Sequence, residues 1–163
     1  MVLANATPNG VLYVLHVLTA IYFALGVVLG TIFTLQVPNT PTLSAKARVM
    51  GNSSRVALLM IIPGALLAGI LGLVLAFQEF SKPFNHGWIV ASLVLFIAAV
   101  VVGGAAGPIS ARTRRMVEAE ARAPRPSAAL VAALRSPLPL IFTALNLLIA
   151  IALVVLMFVQ KPQ

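Results

Sequence analysis

The sequence predicts an all-α fold: a single domain over residues 1–163 that forms a bundle of four transmembrane helices. Composition is the first reason, because 61% of the 163 residues are hydrophobic and 9% are charged, whereas a soluble domain carries about 25% charged residues. Four apolar runs are the second reason, since each reaches the roughly 20 residues that a helix needs to cross a bilayer core. The third is that basic residues fall between these runs, as in the connecting segments of membrane proteins.

The first run, 11–36, contains no charged residue and is expected to be the helix against which the others pack. Its small and polar side chains, with one aromatic, fall within a sector of roughly 80° when residues are placed at 100° intervals. They are His16, Thr19, Phe23, Gly26, Gly30 and Thr34. Because lipid tails offer a histidine or a hydroxyl no hydrogen bond, this stripe is predicted to face protein. Small residues at a spacing of four let another helix come close.

The second run, 56–77, follows a basic segment, 37–55. Pro38 and Pro41 are expected to end the first helix before this segment. Pro63 lies inside the second run, where it removes a backbone N–H and favours a kink that neighbouring helices accommodate. Small residues at a spacing of four predict a second ridge of close packing, formed by Gly64, Ala68 and Gly72.

The third and fourth runs cover 88–110 and 140–159. A short link, 78–87, makes the second and third helices antiparallel neighbours. Gly103 and Gly107 again place small residues at a spacing of four, so the third helix is expected to pack through them.

Charge predicts the orientation of the bundle. Three Lys and Arg residues lie in 37–55 and six lie in 111–137, and four spans place these two segments on one side of the membrane. The other side has Lys82 and Lys161, so the ratio is nine to two. The positive-inside rule therefore predicts that the two basic segments are cytoplasmic and that both termini lie on the opposite, outer side of the cell's inner membrane. Short helices are expected in the basic segments, over 42–50 and 128–135.

His16 is the residue whose chemistry is most specific. It is placed in the first helix about five residues from the outer surface. Its functional interpretation is a haem or metal ligand or a proton-relay group, and its structural interpretation is a hydrogen bond to a Thr, a Tyr or a backbone carbonyl of another helix. His86 and Met157 are predicted to lie at the same membrane face. Two histidines and one methionine can bind haem or copper.

The other polar residues of the spans also have two interpretations. Tyr22, Thr143 and Asn146 either line a pocket for a substrate or quinone, or form hydrogen bonds between helices, and Thr19 is expected to form such an interhelical bond. Bonds of the second kind are each worth about 0.6 kcal/mol. Arg112, Arg114 and Arg115 either bind anionic lipid headgroups or an acidic partner, or serve only to set the topology.

Several classes of function are disfavoured by what the sequence lacks. Cysteine is absent, which excludes disulfides, thiolate metal sites and cysteine nucleophiles. No span contains a carboxylate, which argues against proton-coupled transport and against a carboxylate-based hydrolase. The net charge of +8 is explained by topology, so nucleic-acid binding is not expected.

Four stretches resemble the small bacterial four-helix family of predicted integral membrane proteins of unknown function. They are the Leu-His-Val-Leu-Thr-Ala-Ile-Tyr-Phe-Ala-Leu-Gly pattern at 15–26, Ala47-Arg48 before the second helix, Gly87-Trp88 opening the third, and the ending 156–162. That family is distantly similar to the copper-resistance D proteins and to the membrane-bound protoporphyrinogen oxidase of the haem pathway. The resemblance implies a four-helix fold. It also implies that His16 matches a first-helix histidine suspected of binding haem or metal.

Two main hypotheses for function follow. The first is a non-enzymatic bundle that serves as an accessory or structural subunit, partnered by the lipid bilayer and by other membrane subunits or a second copy. The second is a redox protein in which His16, alone or with His86 or Met157, holds haem or copper. Transport of a small solute or lipid is a third possibility.

Overall fold

The computed structural model describes residues 8–123 and 125–159, and within them every regular element is helical. The α-helices are α1 (Pro8–Asn39), α2 (Leu43–Val56), α3 (Ile62–Glu79), α4 (Gly87–Glu120), α5 (Ala128–Arg135) and α6 (Leu138–Val159). Four helical stretches in the described part of the chain are long and apolar enough to cross a membrane: Gly10–Asn39, Leu43–Glu79, Gly87–Glu120 and Ala128–Met157. The predicted all-α membrane fold is therefore confirmed. The placement of both termini on the outer side of the membrane stays a prediction. Lys161, which entered the charge count, is not among the described residues.

The first helix continues three residues beyond its predicted end at 36 and includes Pro38. A proline in the last turn removes only one intrahelical bond, so the turn before it can still form. The Lys46 ammonium donates to the carbonyls of Val37 and Pro38. These carbonyls lie at the C-terminal end of α1, where helical acceptors lack intrahelical donors. Lys46 thereby stabilises the extended end of the helix.

The second helix is longer than the predicted run, because α2 and α3 are joined by a π-helical turn, Ala57–Ile61. The short helix expected over 42–50 is the start of this long helix rather than a separate element. Thr42 caps it by accepting a bond from the Ala45 N–H at 3.2 Å. The widened turn directly precedes Pro63, whose missing N–H interrupts the α-helical ladder.

The four spans form a ring. Helix α1 contacts α3 on one side and α6 on the other, and α4 contacts α6. The phenyl group of Phe96 in α4 completes this arrangement by lying against Gly69 of α3, where an added Cβ would come 2.7 Å from the Phe96 Cζ. Phe23, Val27 and Ala150 form a small core between α1 and α6, while large apolar side chains cover much of the outer surface.

The basic end of the bundle is built from α2, α5 and the last turns of α4. Helix α2 contacts α4, and α5 also contacts α4. Val117 of α4 and Leu130 of α5 are the most completely buried large side chains in the described residues. Ser127 links these elements, because its hydroxyl and N–H donate to the Glu120 carboxylate at 2.7 and 2.6 Å. The same hydroxyl oxygen caps α5 by accepting from the Leu130 N–H.

Candidate functional site

His16 joins α1 to the second helix. Its Nδ1 lies 3.0 Å from the backbone carbonyl oxygen of Ala68, and since a carbonyl only accepts, the ring donates from Nδ1. The ring lies over Gly72, where an added Cβ would come 2.8 Å from the His16 Cε1. Gly72 therefore makes room for the imidazole. This geometry corresponds to the interhelical interpretation of His16, with a backbone carbonyl as the acceptor.

Tyr22 forms a second bond of the same kind. Its hydroxyl donates to the carbonyl of Leu59 at 2.8 Å. In a regular α-helix that carbonyl would accept from the N–H four residues later, but that residue is Pro63, which has none. Leu59 lies in the π-helical turn beside that proline, and the tyrosine hydroxyl gives its carbonyl a donor from α1, so this bond joins α1 to the second helix.

The predicted glycine ridges of the first two spans lie against each other. A Cβ added at Gly26 would come 2.9 Å from the Cβ of Met60, and one added at Gly64 would come 3.0 Å from the backbone of Phe23. Ala68, on the same ridge, is buried. Gly26 thus leaves room for Met60 of the π-helical turn, and Gly64 of α3 leaves room for the α1 backbone.

The threonines of the first span bond within their own helix. Thr19 donates to the carbonyls of Leu15 and His16 at 3.0 and 2.9 Å, and Thr34 donates to Gly30 at 2.9 Å. A threonine hydroxyl reaches the carbonyl three or four residues back, and so satisfies itself without a neighbour. The expected interhelical bond of Thr19 is therefore not formed among the described residues.

The third span differs from the first two. Gly103 faces Asn146 of α6, whose Nδ2 would lie 3.4 Å from an added Cβ, while Gly104 and Gly107 have no such neighbour within 4 Å. The predicted packing through Gly107 therefore does not occur against another described helix of this chain. Thr143 is half-buried. The Asn146 Oδ1 is buried and has no hydrogen-bond partner among the described residues.

The proposed histidine and methionine ligands are not joined by any contact within the described residues. His86 precedes α4 and lies against Phe80, with ring centroids 4.3 Å apart, whereas His16 lies between α1 and α3. Met157, on α6, is 43% exposed. No group of three or more His, Cys, Asp or Glu side chains that could hold a metal ion occurs in the part of the chain that the structure describes.

At the basic end, the arginines that lie together in the structure are not the three that are close in sequence. Arg112 and Arg115 are exposed, but Arg114 turns toward α2 and lines an open groove of about 560 Å³ together with Arg48 and Arg55. The sequence reasoning missed the last two residues. Their separation of seven places them on one face of a helix, which is a signal that was present in the sequence.

A family model described as "Predicted integral membrane protein (DUF2269)" matches residues 10–162. The chain belongs to this family. The match confirms the resemblance to predicted integral membrane proteins and supports a multi-pass membrane location, whereas the relationship to copper-resistance D proteins and to the oxidase stays a prediction. No curated protein and no solved structure matches the chain.

Two chemical capacities are present in this member of the DUF2269 family. In the first span, imidazole and phenol donors bond to backbone carbonyls of the second helix, which holds the two helices in one register. At the basic end, guanidinium groups from two helices face a shared groove. The first capacity is structural, while the second is suited to anions.

Proposed function

We propose that the chain is a non-enzymatic structural subunit of the membrane that associates with a second copy of itself through the outer face of α4. The observation that carries this proposal is the contrast between its glycines. Those of α1 and α3 lie in close interhelical contact, whereas Gly104 and Gly107 have no neighbour within 4 Å of an added Cβ. Exposed small residues on a membrane helix permit close approach by another helix.

The backbone at this face supports the same proposal. Pro108 cannot donate to the carbonyl of Gly104, four residues before it. No side chain in the described residues donates to that carbonyl either. A backbone acceptor without a donor is costly in a bilayer, and a polar side chain of a neighbouring subunit can supply one. Val100 and Val101 are also exposed, at 53% and 63%, and extend the face with apolar surface.

The test is the native mass of the full chain purified in mild detergent, where one copy weighs 17.1 kDa. We expect a particle of two or more copies that becomes monomeric when Gly104 and Gly107 are both replaced by Leu. Gly87→Leu is the matched control, because Gly87 lies on the same helix and also has open space at its Cβ.

The same measurement distinguishes self-association from association with a different protein. A monomeric wild-type particle without any companion contradicts the proposal, as does an oligomer that the double variant leaves unchanged. A stoichiometric complex with a different membrane protein, lost in the same variant, shows instead that the chain is an accessory subunit of a mixed assembly.

Haem or copper binding is the second candidate, and the bond from His16 to Ala68 favours it. A histidine ligand usually donates its other ring nitrogen to a carbonyl or carboxylate, which fixes the tautomer. With Nδ1 donating at 3.0 Å, Nε2 is the nitrogen left to act as a ligand. Visible spectra of oxidised and reduced protein from haem-replete cells provide the test. A Soret band that is lost in folded His16→Ala supports this role, and a colourless, metal-free, folded preparation rejects it.

A further inference from the structure

The groove at the basic end lies between α2 and the last turns of α4, two elements that contact each other. Its volume of about 560 Å³ falls within the range of about 300–1,000 Å³ that is usual for small-molecule sites. The lining includes three arginines from two different helices, which are Arg48, Arg55 and Arg114. Such a convergence from separate elements is more specific than a run of basic residues along a chain.

Helix α2 supplies most of the residues that line the groove. Arg48 and Arg55 are seven residues apart, which places them on one face and separates them by about 10 Å along the axis. Gly51 lies between them on that face, and an added Cβ there would meet nothing within 4 Å. The glycine therefore leaves a gap between the two basic side chains.

The charges of the groove are not balanced from within the described chain. Arg48 and Arg55 form no ion pair or hydrogen bond with the described residues. Arg114 has Glu118 at 3.6 Å from its Nε, which is too far for a hydrogen bond, and that buried Nε has no acceptor among the described residues. One carboxylate faces three guanidinium groups, so the groove carries a net positive charge and donors that lack acceptors.

The apolar end of the groove indicates what kind of anion fits. Leu58 lines the groove and is 67% exposed, and the adjacent Leu59 is exposed to the same extent. These leucines belong to the π-helical turn that leads into the apolar part of the second span. A ligand with its phosphate at the arginines therefore has apolar surface directly beside it.

We propose that this groove binds the phosphate of an anionic phospholipid, with Arg48, Arg55 and Arg114 at the headgroup and an acyl chain along Leu58. Guanidinium groups donate two parallel hydrogen bonds to phosphate oxygens, and they remain charged at all physiological pH values. Anionic headgroups are attracted to basic clusters at the membrane surface. On α4 the site is about 10 Å along the axis from the proposed self-association contact, since Arg114 lies seven residues beyond Gly107.

The experiment compares lipids on the purified full chain. Native mass spectrometry and thermal unfolding are recorded with phosphatidylglycerol, with phosphatidylcholine and with inorganic phosphate. We expect tighter binding and a higher unfolding temperature with phosphatidylglycerol, and an affinity about tenfold or more lower in Arg48→Gln/Arg55→Gln, since charge-assisted bonds are lost. Arg112→Gln/Arg115→Gln is the matched control: it removes the same charge from residues outside the groove and should retain binding.

A second variant tests shape without changing charge. Gly51→Leu is compatible with helix α2 because its Cβ meets open space and leucine favours helix, yet its side chain fills the gap and should also abolish the preference for phosphatidylglycerol. Equal binding of the two lipids by the wild type overturns the proposal, as does an equal loss in the Arg112/Arg115 control. Stabilisation by inorganic phosphate that matches phosphatidylglycerol overturns the assignment to a lipid. Retained binding in folded Gly51→Leu protein overturns the assignment to this groove.

Discussion

Pro63 and Pro108 both lie within membrane-spanning helices, and the molecule treats the backbone carbonyls before them differently. Pro63 lacks the N–H that would bond to the carbonyl of Leu59 in a regular α-helix, and the Tyr22 hydroxyl of α1 donates to that carbonyl at 2.8 Å. Pro108 leaves the carbonyl of Gly104 in the same situation, but no described side chain donates to it. The comparison teaches that a proline in lipid creates a demand for a donor, which this chain meets at Pro63 with a side chain of α1 and leaves unmet by any described side chain at Pro108 on the outer face of α4.

The glycines next to these two prolines differ in whether another helix of the chain lies against them. Beside Pro63, Gly64 lies so close to α1 that an added Cβ would come 3.0 Å from the Phe23 backbone. Beside Pro108, Gly107 has open space. The region around Pro63 is thus an interface completed within the chain, and the region around Pro108 has the features of one that is completed by another molecule.

The largest expected effect is at the inner glycine. Gly64→Leu must push the α1 backbone away, and overpacking of this kind costs about 1–3 kcal/mol or more. Gly107→Leu is expected to change the stability of the monomer by less than about 0.5 kcal/mol, since it meets no described neighbour. Unfolding in mixed micelles with increasing SDS measures both. Equal losses in the two variants would remove the distinction between the faces.

The second-largest expected effect on stability is at Gly72, which lies against the imidazole ring of His16. Gly72→Ala places a methyl group 2.8 Å from the His16 Cε1, which forces the ring to shift and weakens its bond to Ala68. We expect a loss of about 1 kcal/mol in the wild type and little or no loss in the His16→Ala background. The coupling is obtained from a double-mutant cycle of unfolding free energies. Additive effects would contradict the close contact between the two residues.

Tyr22→Phe should have a smaller effect of about 0.6–1 kcal/mol, because it removes only the hydroxyl that serves Leu59. Pro63→Ala supplies the natural helical donor, so the same tyrosine substitution should then cost less. The unfolding free energies of the wild type, the two single variants and the double variant decide the point. If Tyr22→Phe costs as much with alanine at position 63, the hydroxyl is not compensating for the proline.

The sequence predicted the helices well because crossing a bilayer imposes a local requirement on composition. All four apolar runs, and the short helix 128–135, lie inside observed helices. A short helix was predicted over 42–50, but its continuity with the second span was not. Its first turns, from Leu43, are polar, and hydropathy alone does not show that a helix continues out of the membrane and through a π-helical turn.

Partners across helices were less predictable than the residues themselves. A bond from His16 to a backbone carbonyl was one of two interpretations, but which carbonyl accepts depends on the register between α1 and α3. In the same way, the seven-residue spacing of Arg48 and Arg55 was present in the sequence. That Arg114 joins them depends on the contact between α2 and α4, which is a property of the packed bundle.

The smallest expected effect on stability is at Pro108, and it is also the most direct test of the outer face of α4. Pro108→Ala adds an N–H that can bond to the Gly104 carbonyl, so the monomer should keep its stability or gain up to about 1 kcal/mol. If a neighbouring copy supplies a donor to that carbonyl in the wild type, the substitution should also shift the native mass toward the monomer, since the acceptor is then occupied. Amide hydrogen exchange at position 108 reports whether the new bond forms. A substitution that destabilises the monomer, or a new alanine amide at position 108 that exchanges freely, would mean that the wild-type carbonyl already has a donor. In that case the two prolines would not differ in the way described for Leu59 and Gly104.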